Sequence, residues 1–164
     1  MKNENLEYRM YSLVAYQLCG TIHAGIQALH AVVEYGRGVH GIKEEEEIYN
    51  KWADEDKTMI ILNGGTTNNN PNRLGTLNQY LTLMEENGVL VKTFTEPDLG
   101  DQLTAIAFLV DERVWSKTLY PDYIYKNLPI IRVDDKIQYG KWVENIGGAK
   151  NEFLRDFLSK LRLA

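Results

Sequence analysis

His23, Gln27, His30 and Glu34 are spaced i, i+4, i+7 and i+11, which on a helix at about 100° per residue places them within roughly 60° of one another. Two imidazoles and a carboxylate raise the question of a metal ion. His23 and His30, however, would stand about 10 Å apart along the helix axis, so one ion would need ligands from elsewhere, and no metal is expected. Such a stripe either faces solvent, bonds a neighbouring loop or lines a ligand. Cys19-Gly20-Thr21 opens this helix directly after an apolar run, and the free N–H groups of a helix start suit an anion such as phosphate. Asn63-Gly64-Gly65-Thr66-Thr67 repeats the arrangement, with two glycines permitting close approach and two hydroxyls able to bond phosphate or a base edge, or else to form a plain turn. Glu96, Asp98 and Asp101 share one turn, where they can accept from base amino groups or ribose hydroxyls, bind a divalent ion, or simply cap and solvate the turn. No Gly-Lys-Ser/Thr follows the glycines, no Gly-x-Ser-x-Gly elbow is present, and no Cys/His pair has a catalytic spacing.

The elements that must position these groups follow from hydrophobic period and breakers. Strands are expected over 8–16, 57–63, 89–95 and 103–110, the last apolar on both faces and therefore central. Helices are expected over 21–35, with Ile22, Ile26, Leu29 and Val33 as the apolar face and Gly36, Gly38 and Gly41 as the stop, and over 44–53. A third is marked by Leu74, Leu77, Leu81 and Met84 and closed by Asn87-Gly88. The order describes an α/β protein with a mixed four-stranded sheet and helices on both faces. The expectation is a single domain over 1–164, with a core at 8–110 and a C-terminal extension at 111–164. Within that extension 120–129 reads as an extended connection, and 151–163 as an amphipathic helix that needs a partner surface, either the sheet or another subunit.

The chain of 164 residues carries 18 Lys and Arg against 23 Asp and Glu, a net charge of −5. All of that excess lies in Lys43–Asp56, seven acids against two bases, which reads as a solvated helix start. The remainder is balanced and holds no basic cluster, so a long nucleic-acid footprint is disfavoured while a short nucleotide is not. The single Cys19 permits neither an intramolecular disulfide nor a thiolate metal site. No run approaches the ~20 apolar residues of a membrane span, and the first residues lack the apolar centre of a signal peptide. A cytoplasmic protein without a membrane partner is expected.

The segment Leu18-Cys19-Gly20-Thr21-Ile22-His23-Ala24-Gly25-Ile26-Gln27-Ala28-Leu29-His30-Ala31 resembles the signature of type-2 peptidyl-tRNA hydrolases, in which a strand leads through a Gly-Lys-Gly-Lys turn into a helix carrying Ala-Gln-x-x-His-Ala. Gln27, Ala28, His30 and Ala31 match that helix. Trp52, the helix over 74–86 and the strand pair around 96–110 follow in the family's order, so the resemblance spans about 8–110. Thr21 and His23 stand where the enzymes place their turn lysines. Glu96-Pro97-Asp98-Leu99-Gly100 replaces their Asp-Ala-Gly-Arg-Thr and lacks its Arg. The ending from Gly147 to Leu158 resembles that of tailed-phage proteins carrying this fold. Together these features imply a phage immune-evasion protein, similar to anti-CBASS sponges, that sequesters a cyclic nucleotide such as cyclic GMP–AMP in the infected host cytosol. It would act without catalysis or cofactor, as a homo-oligomer joined through its C-terminal helix. The implied ligand-binding residues are Thr21, His23, Gln27, His30, Asn63, Thr66, Thr67, Glu96 and Asp98. The alternative is an active peptidyl-tRNA hydrolase in which His23 or His30 moves the proton.

Overall fold

A computed structural model describes residues 6–20 and 22–164. The elements are β1 (Tyr8–Val14), α1 (Ile22–Val39), α2 (Lys43–Lys51), β2 (Met59–Asn63), α3 (Thr76–Glu86), β3 (Lys92–Glu96), β4 (Gln102–Asp111), α4 (Glu112–Trp115), α5 (Val133–Asn145) and α6 (Ala149–Ser159). The four strands form one sheet in the order β2-β1-β4-β3. β1 and β2 run parallel while β3 and β4 run antiparallel, so the protein is α/β with a mixed sheet. The chain divides into two compact units, one reaching to Val110 and taking in Leu161–Ala164, the other Asp111–Lys160.

In the first unit, β4 is buried along nearly its whole length, as its run of apolar residues on both faces requires. Tyr8, Met10 and Val14 of β1 and Ala105 and Ala107 of β4 share a core cluster with Ala24, Ala28, Ala31, Val32, Tyr35 and Val39 of α1. On the other side, Leu77 of α3 lies against Gly64, beside Leu13.

α1 departs from its expected orientation. Ile22, Ile26, Leu29 and Val33 are exposed, and the buried side is the one lined by alanines. Small residues on both helix and sheet let the backbones approach closely, and at that separation there is no room beneath the helix for the four larger side chains. The helix also runs through Gly36 and Gly38 to Val39 instead of stopping after Tyr35. A Cβ on Gly36 would stand 2.6 Å from the Tyr49 hydroxyl, and one on Gly38 would stand 2.4 Å from the Lys92 chain. These glycines are packing positions, where only a hydrogen fits beneath a neighbour.

The outer edge of β2 is covered by the chain's own end. The Asn63 N–H donates to Arg162 O (2.9 Å) and the Ala164 N–H to Ile61 O (3.1 Å), so the helix expected over 151–163 is present as α6 but ends at Ser159, and the last residues form a bridge beside β2. Pairing this edge removes a row of unsatisfied backbone groups.

The second unit is built around Arg155, which is 5% exposed. Its two terminal guanidinium nitrogens donate to Arg113 O (2.6 Å), Tyr120 O (2.7 Å) and Asp122 Oδ1 (2.7 Å), and the group lies 5.4 Å from the Trp142 ring, so carbonyls, one carboxylate and a π face surround the cation, while its Nε stays without a hydrogen-bond partner among the described residues. α5 falls in a stretch where no helix was expected. Its start is held by Asp135, whose carboxylate accepts from the Arg132 N–H (3.1 Å) and from Asn127 Nδ2 (3.0 Å). Those donors hold the Asp135 carboxyl below the usual carboxylate range.

Candidate functional site

Sheet register collects the sequence's polar groups at one rim. Val14 pairs with Asn63, the Ala15 N–H donates to Thr104 O (2.9 Å), and Glu96 pairs with Gln102. The carboxyl ends of β1, β2 and β3 and the start of β4 therefore share an edge, the end of an α/β sheet at which loops leave the strands and ligands bind.

Gln27 is the centre of this rim. It is 7% exposed, its Oε1 accepts from the Thr104 hydroxyl (2.5 Å) and its Nε2 donates to Glu96 Oε2 (2.8 Å). The carboxamide is thus oriented at both ends, and it fixes the half-buried Glu96 carboxylate at the end of β3. One turn further along α1, the exposed His30 ring stacks on Phe94 of β3, with centroids 4.3 Å apart and planes inclined by 12°. The polar stripe of α1 is the shoulder of the helix that faces β3. His23 is exposed on the first turn of α1, and Asp98 is exposed in the short 3-10 turn Pro97–Leu99. Thr21 lies outside the described residues.

Asn63, Thr66 and Thr67 belong to a second set, the loop between β2 and α3. Asn63 Oδ1 accepts from the Gly65 N–H (2.8 Å). Thr66 Oγ1 accepts from the Thr76 N–H (3.1 Å) and meets the Thr76 hydroxyl at 3.0 Å. Asn78 Oδ1 accepts from the Asn68 N–H (3.0 Å), and the Thr67 hydroxyl approaches the same oxygen at 3.4 Å. These groups cap α3 and fix the loop on it. The loop crosses so closely that a Cβ on Gly75 would stand 2.5 Å from both Asn68 N and Thr66 O. Its tip reaches the neighbouring turn, where Asn69 Nδ2 donates to Asp101 O (3.1 Å). The two sets are consequently tied along one edge by the loop and the β3–β4 turn.

Two participants were not anticipated from the sequence. Thr104 was legible as the one hydroxyl in the apolar run 103–110, and Phe94 as the aromatic residue of an otherwise polar edge strand. Cys19 lies next to the rim, just after β1. Its thiol donates to Val14 O (3.4 Å) and Ala15 O (3.5 Å), and burial pushes its pKa up, which suppresses the thiolate. Among the described residues, no group of three or more His, Cys, Asp and Glu is placed to hold a metal ion, and no helix is long and apolar enough to cross a membrane. Chemically, the rim offers a carboxylate acceptor oriented by the buried Gln27 carboxamide and a stacked imidazole, a set suited to hydrogen-bonded recognition of base amino groups and hydroxyls. No protein-family model matches this sequence, and no curated protein is found to be similar to it.

Proposed function

We propose that this protein binds a small nucleotide of the cyclic dinucleotide class at the strand-end rim and sequesters it uncleaved, as a phage sponge for an immune signal in the cytosol of an infected bacterium. The observation that carries this reading is the Thr104–Gln27–Glu96 chain of hydrogen bonds. Through the buried carboxamide it holds the Glu96 carboxylate rigid at the rim at no further entropic cost on binding, which is how a site gains affinity for a base amino group or a ribose hydroxyl. The anticipated site residues include no Lys or Arg, which disfavours a tRNA backbone over a small ligand. The type-2 peptidyl-tRNA hydrolase-like fold is part of the same proposal, supported by the strand-to-helix passage that carries Gln27 and His30 onto β3.

The test is calorimetric titration of the full chain with cyclic GMP–AMP and a panel of cyclic and linear nucleotides, followed by denaturation and mass analysis of the ligand. The expected result is saturable binding, the ligand returned intact, and affinity about tenfold weaker in Glu96→Gln, the loss of one charge-assisted hydrogen bond. Absence of binding across the panel, or return of a cleaved product, overturns the sponge. Release of the amino-acyl group from N-blocked aminoacyl-tRNA, abolished in His23→Ala, would establish the hydrolase in its place.

A further inference from the structure

α1 has two apolar sides, and only the alanine side is used within the first unit. Opposite it stand Ile22, Ile26, Leu29 and Val33, at 80, 43, 60 and 49% exposure. They form a straight aliphatic ridge about 16 Å long that offers roughly 400 Å² of accessible surface, the size of the largest patch an ordinary monomer leaves open.

We propose that this ridge is a homodimer contact, packing antiparallel against the same ridge of a second copy of this chain. The spacing is the first reason. The steps between the four residues are 4, 3 and 4 and so read the same in both directions. A twofold axis between Ile26 and Leu29 therefore sets Ile26 opposite the partner's Leu29 and Ile22 opposite the partner's Val33, the self-complementarity an isologous contact demands.

Shape is the second reason. Just beyond Val33 the helix face falls into a hollow of about 540 Å³, lined by Val33, Gly36, Arg37, His40 and Tyr49 among others. Ile22, the most exposed of the four, arrives there from the second copy, a knob meeting a depression. Gly25 presents no side chain beside the ridge, and nothing stands within 4 Å of its Cβ position, so the two helices can approach closely. Two ridges with the linings of two hollows reach the ~1,000 Å² that a specific contact requires. A lipid surface is a poorer occupant, because the adjoining helix starts with Glu44, Glu45 and Glu46 and anionic headgroups would repel it. The twofold keeps both polar shoulders of α1, with Gln27 and His30, on one side of the helix pair, and sets the two strand-end rims at opposite ends of it.

The measurement is the mass of the full chain in solution by light scattering and sedimentation. The wild type is expected at twice 18.8 kDa. Leu29→Glu is expected at the single mass with unchanged far-UV circular dichroism, since position 29 is exposed in the isolated chain. Register is tested in a Cys19→Ser background, where Ile22→Cys and Val33→Cys together form an intermolecular disulfide on mild oxidation and neither alone does. A wild type that stays monomeric at every concentration, a dimer indifferent to Leu29→Glu, or binding to anionic vesicles that Leu29→Glu abolishes would each overturn the proposal.

Discussion

Gln27→Glu is the sharpest perturbation of the rim, because it changes one atom at a position where both hydrogen-bond senses are fixed. In the native protein the Gln27 amide nitrogen donates to Glu96 Oε2 at 2.8 Å. The substitution replaces that donor with an acceptor and sets two carboxylates at hydrogen-bond distance. At an effective dielectric of about 20, two unit charges at that separation repel by about 6 kcal/mol. The pair escapes by retaining a proton, and holding one about three pH units above the ordinary carboxylate range costs at most about 4 kcal/mol near neutrality. Gln27→Leu, which deletes both hydrogen bonds and introduces no charge, should cost about 1–2 kcal/mol, since the Thr104 hydroxyl also lies 3.4 Å from Phe94 O. The sign of the pH dependence follows from linkage. The variant pair has a folded pKa above its unfolded value, so the penalty is complete above the folded pKa and vanishes as pH falls below the unfolded one. Urea denaturation of both variants near pH 5 and pH 8 measures this. If Gln27→Glu is no less stable than Gln27→Leu at pH 8, or shows no recovery in acid, the assigned hydrogen bonds are wrong and the rim is not pre-organised as described.

Gly75→Ala has an ordinary backbone conformation (φ −64°) but places a methyl 2.5 Å from backbone atoms of the crossing loop. It should cost about 2–4 kcal/mol in thermal or urea unfolding and loosen the loop, visible as accelerated amide exchange at Asn68 and Asn69. Arg155→Leu leaves two part-buried carbonyls and Asp122 without the guanidinium and should destabilise the second unit by about 2 kcal/mol, read from the fluorescence of Trp142, which the guanidinium covers. Cys19 should react with a disulfide reagent far more slowly in the native protein at pH 8 than in urea, because burial raises its pKa and thiolate is the reacting form. Equal rates in the two states would contradict the contacts to Val14 O and Ala15 O.

Period and breakers revealed all four strands, because their apolar runs are short, separated and bounded by Gly, Asn and Pro. Their ends moved by a few residues, since ladder hydrogen bonds and not hydropathy decide where pairing stops. α5 was hidden because Val133–Asn145 has a glycine, several charges and scattered apolar residues, and is held through Asp135 and its aromatic rings instead of a regular stripe. At the rim, the polar stripe of α1 and Glu96 were visible as types and spacings, yet their partnership joins residues 69 apart, and only the fold supplies that. Asn63, Thr66 and Thr67 show a different limit. The short polar side chains that suit a ligand loop are the same ones that cap helices and tie turns, and pattern alone does not separate the two uses.

The reversal on α1 joins the rim to the proposed dimer face through one packing choice. A hydropathy pattern weights Ile, Leu and Val above Ala, so it assigns the core to the ridge. What decides the matter is distance. Ala24, Ala28 and Ala31 against Ala105 and Ala107 draw the helix down onto the sheet, and only at that separation does the short Gln27 side chain reach Thr104 on β4 and Glu96 on β3 together. With larger residues on the inner face the helix would stand further from the sheet, and one of the two hydrogen bonds would be lost. The same small inner face leaves no room for Ile22, Ile26, Leu29 and Val33 beneath the helix and turns them outward. An exposed ridge of four aliphatic residues is a solubility liability for a free monomer. It is therefore the cost of holding Gln27 in place, unless a second copy covers it, and covering it makes the close helix-to-sheet packing and the oriented rim mutually stabilising.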